Sequence, residues 1–170
     1  MRKTLEIINR LLEEKLVKAY AIGGAIAALK WVEPFFTRDL DLFIVPSPAL
    51  KKGELIVLTP IYDFLAALGY KEWRGQWLMV EGIPVEFIPA EGLARESVEN
   101  AVDVNFEGVG TRVITPEYLI ALFLTAGRDK DRMKITLLLE QTSVRSDVLN
   151  SILKKYRLED KFTQFRGVHP

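Results

Sequence analysis

The chain has 170 residues, 49% of them hydrophobic, with 23 acidic and 23 basic side chains. That is one ordinary domain with enough apolar material for a core, and the balanced charge argues against a broad non-specific nucleic-acid or membrane surface. There is no cysteine and a single histidine, His169, which excludes disulfides and thiolate chemistry and argues against a His-based triad or multi-His metal centre.

Residues 2–17 carry Leu5, Ile8, Leu12 and Leu16 at helical spacing, with Arg10, Glu13, Glu14 and Lys15 elsewhere, and predict an amphipathic helix. This charged stretch is not a signal peptide, and no apolar run reaches membrane-spanning length. The expected location is the cytoplasm. A short strand over 19–22 ends in Gly23-Gly24 and is followed by a helix over 25–31. A loop over 33–38 then delivers the segment Asp39-Leu40-Asp41-Leu42-Phe43-Ile44-Val45, which reads as a strand bounded by Pro46. Side chains alternate along a strand, so Asp39 and Asp41 leave one face while Leu40, Leu42 and Ile44 leave the other. Two neighbouring carboxylates repel each other and are costly to bury. A bound divalent cation is the simplest reason for an apolar strand to carry them, because hard cations take carboxylate oxygens and substrate phosphates together.

Beyond this strand, 46–53 reads as loop and 55–58 as a brief extended piece. Thr59-Pro60 gives a helix start with a capping threonine, Gly69 gives its stop, and Ile61, Phe64, Leu65 and Leu68 form its apolar stripe. Three short strands over 70–73, 76–80 and 84–89 form an antiparallel meander. In the third, Glu86 interrupts apolar neighbours and supplies a third acidic residue on a second apolar strand. A helix over 92–102 and an extended stretch over 106–114 follow. Thr115-Pro116 opens a helix that Gly127 ends, and helices over 129–141, 147–156 and 159–165 complete the chain. Strands stop near residue 114, which divides the chain into an α/β core over 1–114 and a helical segment over 115–170. The fold class is therefore α/β (α+β), a small mixed sheet flanked by helices with a helical C-terminal segment.

The assembled order is a Gly-Gly turn, a short helix, a strand with Asp-x-Asp, and a later strand with one carboxylate. In Ile22-Gly23-Gly24-Ala25, in Thr37-Arg38-Asp39-Leu40-Asp41-Leu42 and in the stretch over 115–140, the chain resembles the minimal nucleotidyltransferases of the DNA-polymerase-beta superfamily. Within that superfamily it is most similar to the nucleotidyltransferase toxins of type IV toxin–antitoxin systems (AbiEii-like). The resemblance implies transfer of a nucleoside monophosphate from a triphosphate to a hydroxyl, assisted by Mg²⁺ or Mn²⁺ held by Asp39, Asp41 and Glu86. It also implies nucleotide contacts from Gly23, Gly24, Thr37, Arg38, Arg128 and Lys130. The acceptor is left open between a tRNA end, a protein side chain and a small molecule, and an antitoxin partner is a further expectation. The chain departs from the family pattern at three points: Glu86 stands where an aspartate is usual, Phe35 where an arginine is common, and Phe123 where a lysine is common. Those departures keep open a second reading, a binding module that has lost its chemistry, and a toxin released from an antitoxin is a third.

Overall fold

A computed structural model of the protein describes residues 1–37 and 39–168. Arg38 and His169, both singled out from the sequence, lie outside the described residues.

Helix α1 (Arg2–Glu13) buries Thr4, Leu5, Ile8 and Leu11. The buried stripe therefore runs through Leu11, and Leu12, expected inside, is 37% exposed. The helix ends about a turn earlier than the spacing predicts. Lys15 turns into the left-handed region at φ 56°, so Leu16 leaves the helical register before it can extend the stripe. Strand β1 (Val17–Ile22) follows, then the short helix α2 (Gly24–Ala28) and strand β2 (Leu40–Pro46). A 3-10 turn (Pro48–Leu50) leads into a two-stranded hairpin, β3 (Lys51–Lys52) and β4 (Leu55–Ile56).

Helix α3 (Thr59–Ala67) takes Pro60 in its first turn, as expected, but Thr59 is already helical. Leu58 occupies the cap position, and no side chain caps the helix. Strands β5 (Trp73–Arg74), β6 (Trp77–Val80) and β7 (Ile83–Pro89) form the antiparallel meander. After α4 (Gly92–Glu99), the segment expected as one extended run over 106–114 is instead the second arm of a hairpin, β8 (Val102–Phe106) and β9 (Val109–Val113). Glu107 and Gly108 both take positive φ at its tip, 50° and 87°, and Asn105 Oδ1 accepts the Gly108 N–H at 2.9 Å. Such a turn matches the twist of the two strands it joins.

Seven strands make one sheet in the order β5-β6-β7-β2-β1-β9-β8. The β2–β7 and β1–β9 pairs are parallel and the others antiparallel. The helical segment is α5 (Pro116–Ala126), α6 (Asp129–Gln141), α7 (Ser146–Lys155) and α8 (Glu159–Val168). Helix α5 is nearly all buried and packs against α2, α4, α6 and α7. Gly127 closes it in the left-handed conformation that favours glycine, φ 63°. Two carboxylates tie the later helices back. Glu96 of α4 accepts hydrogen bonds from Tyr118 Oη at 3.0 Å, Lys155 Nζ at 2.6 Å and the Tyr156 hydroxyl. Buried Glu117 accepts from the Arg145 backbone N–H at 3.0 Å and its Nε at 3.2 Å. No helix among the described residues is long and apolar enough to cross a membrane.

The position of the α1 stripe is open to direct measurement. Leu11→Ala removes a fully buried side chain and should cost about 2–5 kcal/mol, whereas Leu12→Ala should stay within about 1 kcal/mol. Urea titration of both variants separates these outcomes, and equal losses would contradict the stripe.

Candidate active site

Strand β2 presents Leu40, Leu42 and Ile44 to the core, all essentially fully buried. Alternation then sends Asp41 to the other face. Strand β7 runs parallel to β2 with Asp41 and Glu86 as direct partners. In-register neighbours of a parallel pair share a face, so these two carboxylates lie side by side. Asp39 immediately precedes β2. All three line one cavity of about 360 Å³ together with Thr37, Gln76, Trp77, Arg128, Lys130 and Lys134. A larger, mainly apolar cavity of about 460 Å³ is lined by Ile22, Ile26, Val104 and Val113, and Thr37 lines both cavities.

The Gly-Gly turn is shaped by contacts with the aspartate strand. Gly23 is extended, its N–H bonds the Asp41 carbonyl at 2.9 Å, and a Cβ there would fall 2.2 Å from the Phe43 ring. Gly24 has φ +57°, and a Cβ there would stand 1.7 Å from Asp41 Oδ2. Glycine is thus needed twice: at 23 for the Phe43 ring, and at 24 for both the left-handed backbone and the Asp41 carboxylate. The Gly23 N–H is committed to extending the β1–β2 ladder. The close approach that the two glycines permit is, in this structure, approach to β2.

Electrostatics follow from the crowding. The Asp41 carboxyl is raised from 3.8 to about 6, chiefly by burial and then by the charges of Glu86 and Asp39, while Arg128 and Lys134 pull the other way. Glu86 Oε2 accepts a hydrogen bond from Gln76 Nε2 at 3.2 Å. Across the cavity, Arg128 donates from Nε to Asp131 Oδ2 at 2.6 Å and from Nη2 to Oδ1 at 3.3 Å. That bond is the main cause of a guanidinium pKa raised above its ordinary value. Lys134 Nζ donates to the same Asp131 Oδ1 at 2.8 Å and lies 5.1 Å from the centre of the Phe123 ring.

Of the residues singled out from the sequence, Thr37, Asp39, Asp41, Glu86, Arg128 and Lys130 line the cavity. Gly23 and Gly24 support it from the side of α2. Gln76 and Lys134 were not singled out, and Asp131 only as a member of the charged cluster Arg128-Asp129-Lys130-Asp131. The spacing Arg128-x-x-Asp131-x-x-Lys134 carried a usable signal, since i, i+3 positions are neighbours on a helix.

The donor chemistry suits a hard divalent cation, being three carboxylates with no nitrogen or sulfur ligand among them. Among the described residues, no three carboxylate or imidazole groups close tightly enough on one point to cage an ion by themselves. The fit therefore rests on the half-buried Asp41 carboxylate, which burial and the charges of Glu86 and Asp39 disfavour and a cation would relieve, and on substrate oxygens completing the shell.

A stability measurement reads this charge set directly. The native protein takes up the Asp41 proton near pH 6 and the unfolded chain near 3.8, so burial of the ionised carboxylate weakens the metal-free fold as pH rises through that window. The penalty is at most about 3 kcal/mol above pH 6. Asp41→Asn should therefore raise the melting temperature at pH 8, with the gain vanishing below about pH 4. A variant less stable than the parent at pH 8 would contradict it.

Comparison with known proteins bears on the fold and on the first third of the chain. Residues 1–58 match the family described as "Nucleotidyl transferase of unknown function (DUF2204)". No curated protein matches the chain in sequence. Among solved structures, the solution structure of the antibiotic-resistance factor ANT(2'')-Ia aligns with TM-score 0.53 and 16% identity, covering 98% of this chain and 96% of that one. An antigenic nucleotidyltransferase-like protein from Paracoccidioides brasiliensis aligns with TM-score 0.56 and 14% identity, covering 96% and 92%. The lincosamide antibiotic adenylyltransferase LnuA, lincomycin-bound, aligns with TM-score 0.50 and 18% identity, covering 84% and 98%. The chain has the mixed α/β fold of the nucleotidyltransferases, and its first third matches a nucleotidyltransferase family.

Proposed function

We propose that the protein is a metal-dependent nucleotidyltransferase that moves a nucleoside monophosphate from a triphosphate to a hydroxyl and releases pyrophosphate. The observation that carries the reading is the in-register pair Asp41 and Glu86, joined by Asp39 in a cavity that also holds Arg128, Lys130 and Lys134. A half-buried acidic set sharing a cavity with a basic one suits a reaction between a polyphosphate and a hydroxyl. The match of residues 1–58 and the shared fold support it.

In this reading Asp39, Asp41 and Glu86 hold the Mg²⁺ or Mn²⁺, which when bound supplies positive charge at the reacting phosphate. Gln76 holds one Glu86 oxygen, which leaves the other to take the proton of the acceptor hydroxyl. The hydroxyl oxygen bonds to the α-phosphorus, the bond from that phosphorus to the bridging oxygen breaks, and pyrophosphate leaves with the electron pair. Arg128 and Lys130 offset the negative charge that gathers on the leaving group, and Thr37 lines the same cavity. Two of the similar structures are an antibiotic-resistance factor and an antibiotic adenylyltransferase, so a small hydroxylated molecule is the first acceptor class to examine, ahead of tRNA or a protein side chain. Control by an antitoxin partner is a narrower form of the same proposal. Growth arrest on expression, abolished by Asp41→Asn, would single it out.

Calorimetry with each nucleoside triphosphate tests the proposal without knowledge of the acceptor. Binding should require Mg²⁺ or Mn²⁺ and should disappear in the Asp39→Asn, Asp41→Asn double variant. Binding that ignores the divalent ion, or survives the double substitution, would point to a partner-binding module instead.

A further inference from the structure

The apolar cavity of about 460 Å³ has no part in the chemistry proposed above. Protein interiors pack to the density of organic crystals, so an apolar hollow of that size forgoes contacts that a filled core would make. Its volume is in the range of small-molecule sites, and apolar hollows of this kind take apolar guests. The floor is Ile22 and Val113, the register pair that joins β1 to β9, and both are almost fully buried. Ile26 of α2 and Leu29 at its end form one wall, and Val104 and Phe106 on one face of β8 form another. Phe106 is 39% exposed and Lys30 is exposed, so the hollow opens to solvent between them.

Polar groups are few. Among the described residues that line the cavity, Lys30 has the one charged side chain, and no carboxylate is present. The Thr111 hydroxyl is engaged with Tyr20 Oη at 3.1 Å. Thr37 is the remaining polar side chain, and it also lines the carboxylate cavity, two residues before Asp39. Helix α2 stands between the two hollows, with Ala25 lining the carboxylate cavity and Ile26 the apolar one. A molecule with an apolar body can fill the larger cavity and extend a hydroxyl past Thr37 toward Asp39, Asp41 and Glu86. A polycationic or many-hydroxyl sugar would give up its water to walls that offer it almost no partners.

We propose that the apolar cavity is the acceptor site, and that the acceptor is an amphipathic alcohol, one hydroxyl on an aliphatic or aromatic body. The inference rests on the nucleotidyltransferase reading and narrows its acceptor class. In the transfer the alcohol oxygen bonds to the α-phosphorus and its proton passes to Glu86. The bond from that phosphorus to the bridging oxygen breaks, and pyrophosphate leaves with the electron pair. With ATP as donor the product is the adenylate ester of the alcohol.

The probes are n-butanol, n-hexanol and n-octanol, titrated calorimetrically into the parent protein, Val104→Trp and Leu29→Trp. Affinity for the parent should rise about three- to fourfold with each added methylene. Each tryptophan fills the cavity from a different wall and should weaken octanol binding about tenfold or more, so misfolding of one variant leaves the other to carry the test. With Mg²⁺-ATP, octanol should yield octyl adenylate and pyrophosphate in the parent and none in Asp41→Asn. Affinity that does not grow along the series, or octanol binding within twofold of the parent in both folded variants, overturns this inference and leaves the nucleotidyltransferase reading standing. Octanol that binds as expected but gives no ester, while Mg²⁺-ATP binds, overturns the acceptor role alone; failure of Mg²⁺-ATP itself to bind overturns both. A parent dimer that Val104→Trp dissociates in sedimentation would assign the cavity to a second copy of the chain and also overturns the inference.

Discussion

Two carboxylates placed side by side on adjacent parallel strands set the terms for the rest of the molecule. Asp41 and Glu86 are direct partners across β2 and β7, and the register is fixed by the opposite face, where Leu40, Leu42, Val85 and Phe87 are buried. A slip of one residue would turn the acids into the core and the leucines into the cavity. The apolar face thus enforces an arrangement that the acidic face resists. The raised Asp41 pKa reports that resistance. Gly24 yields to it by bringing a backbone without a side chain against the carboxylate. Helix α6 answers it with Arg128 and Lys134 across the cavity.

The helical segment is therefore part of the site. Helix α5 is buried on nearly all sides and seats α6, whose first turns carry the cations. The anchors Glu96 and Glu117 hold α7 and the 145 loop to the same helix bundle. Glu117 is buried and Glu96 half-buried, and such carboxylates bind the bundle in one arrangement more than they add net stability, because their desolvation offsets much of the attraction. Fixing α6 fixes where Arg128, Lys130 and Lys134 meet the cavity.

Much of this was legible in the residues. The Asp-x-Asp strand announces itself by alternation, and its bounds are shifted by one residue in the structure. The Thr-Pro start and glycine stop of α5 are local signals, and the left-handed Gly127 bears them out. What stayed hidden is what depends on partners distant in the chain. No local pattern says that β7, arriving through an antiparallel meander, then pairs in parallel with β2. The tip of the β8–β9 hairpin was obscured because a glutamate, Glu107, takes a positive φ there, and Gly108 and Gly110 after it made the stretch look like one glycine-bearing strand. Leu11 and Leu12 differ by one step around a helix, and only the packed core chooses between them. Gly23 is required by the Phe43 ring, twenty residues on, which no reading of a Gly-Gly turn contains. That Lys134, from the following helix, lies over the Phe123 ring is likewise visible only in the folded chain.

The central claim is that the acidic set on β2 and β7 is a divalent-cation site. Crystals grown with Mn²⁺ and a non-hydrolysable nucleoside triphosphate test it most directly, through anomalous scattering at the manganese edge. The account predicts a manganese peak in the cavity, with oxygens of Asp39, Asp41 or Glu86 at about 2.1 Å from it and triphosphate oxygens completing the shell. A cavity free of manganese while the triphosphate is bound, or a triphosphate lodged elsewhere on the molecule, would contradict it.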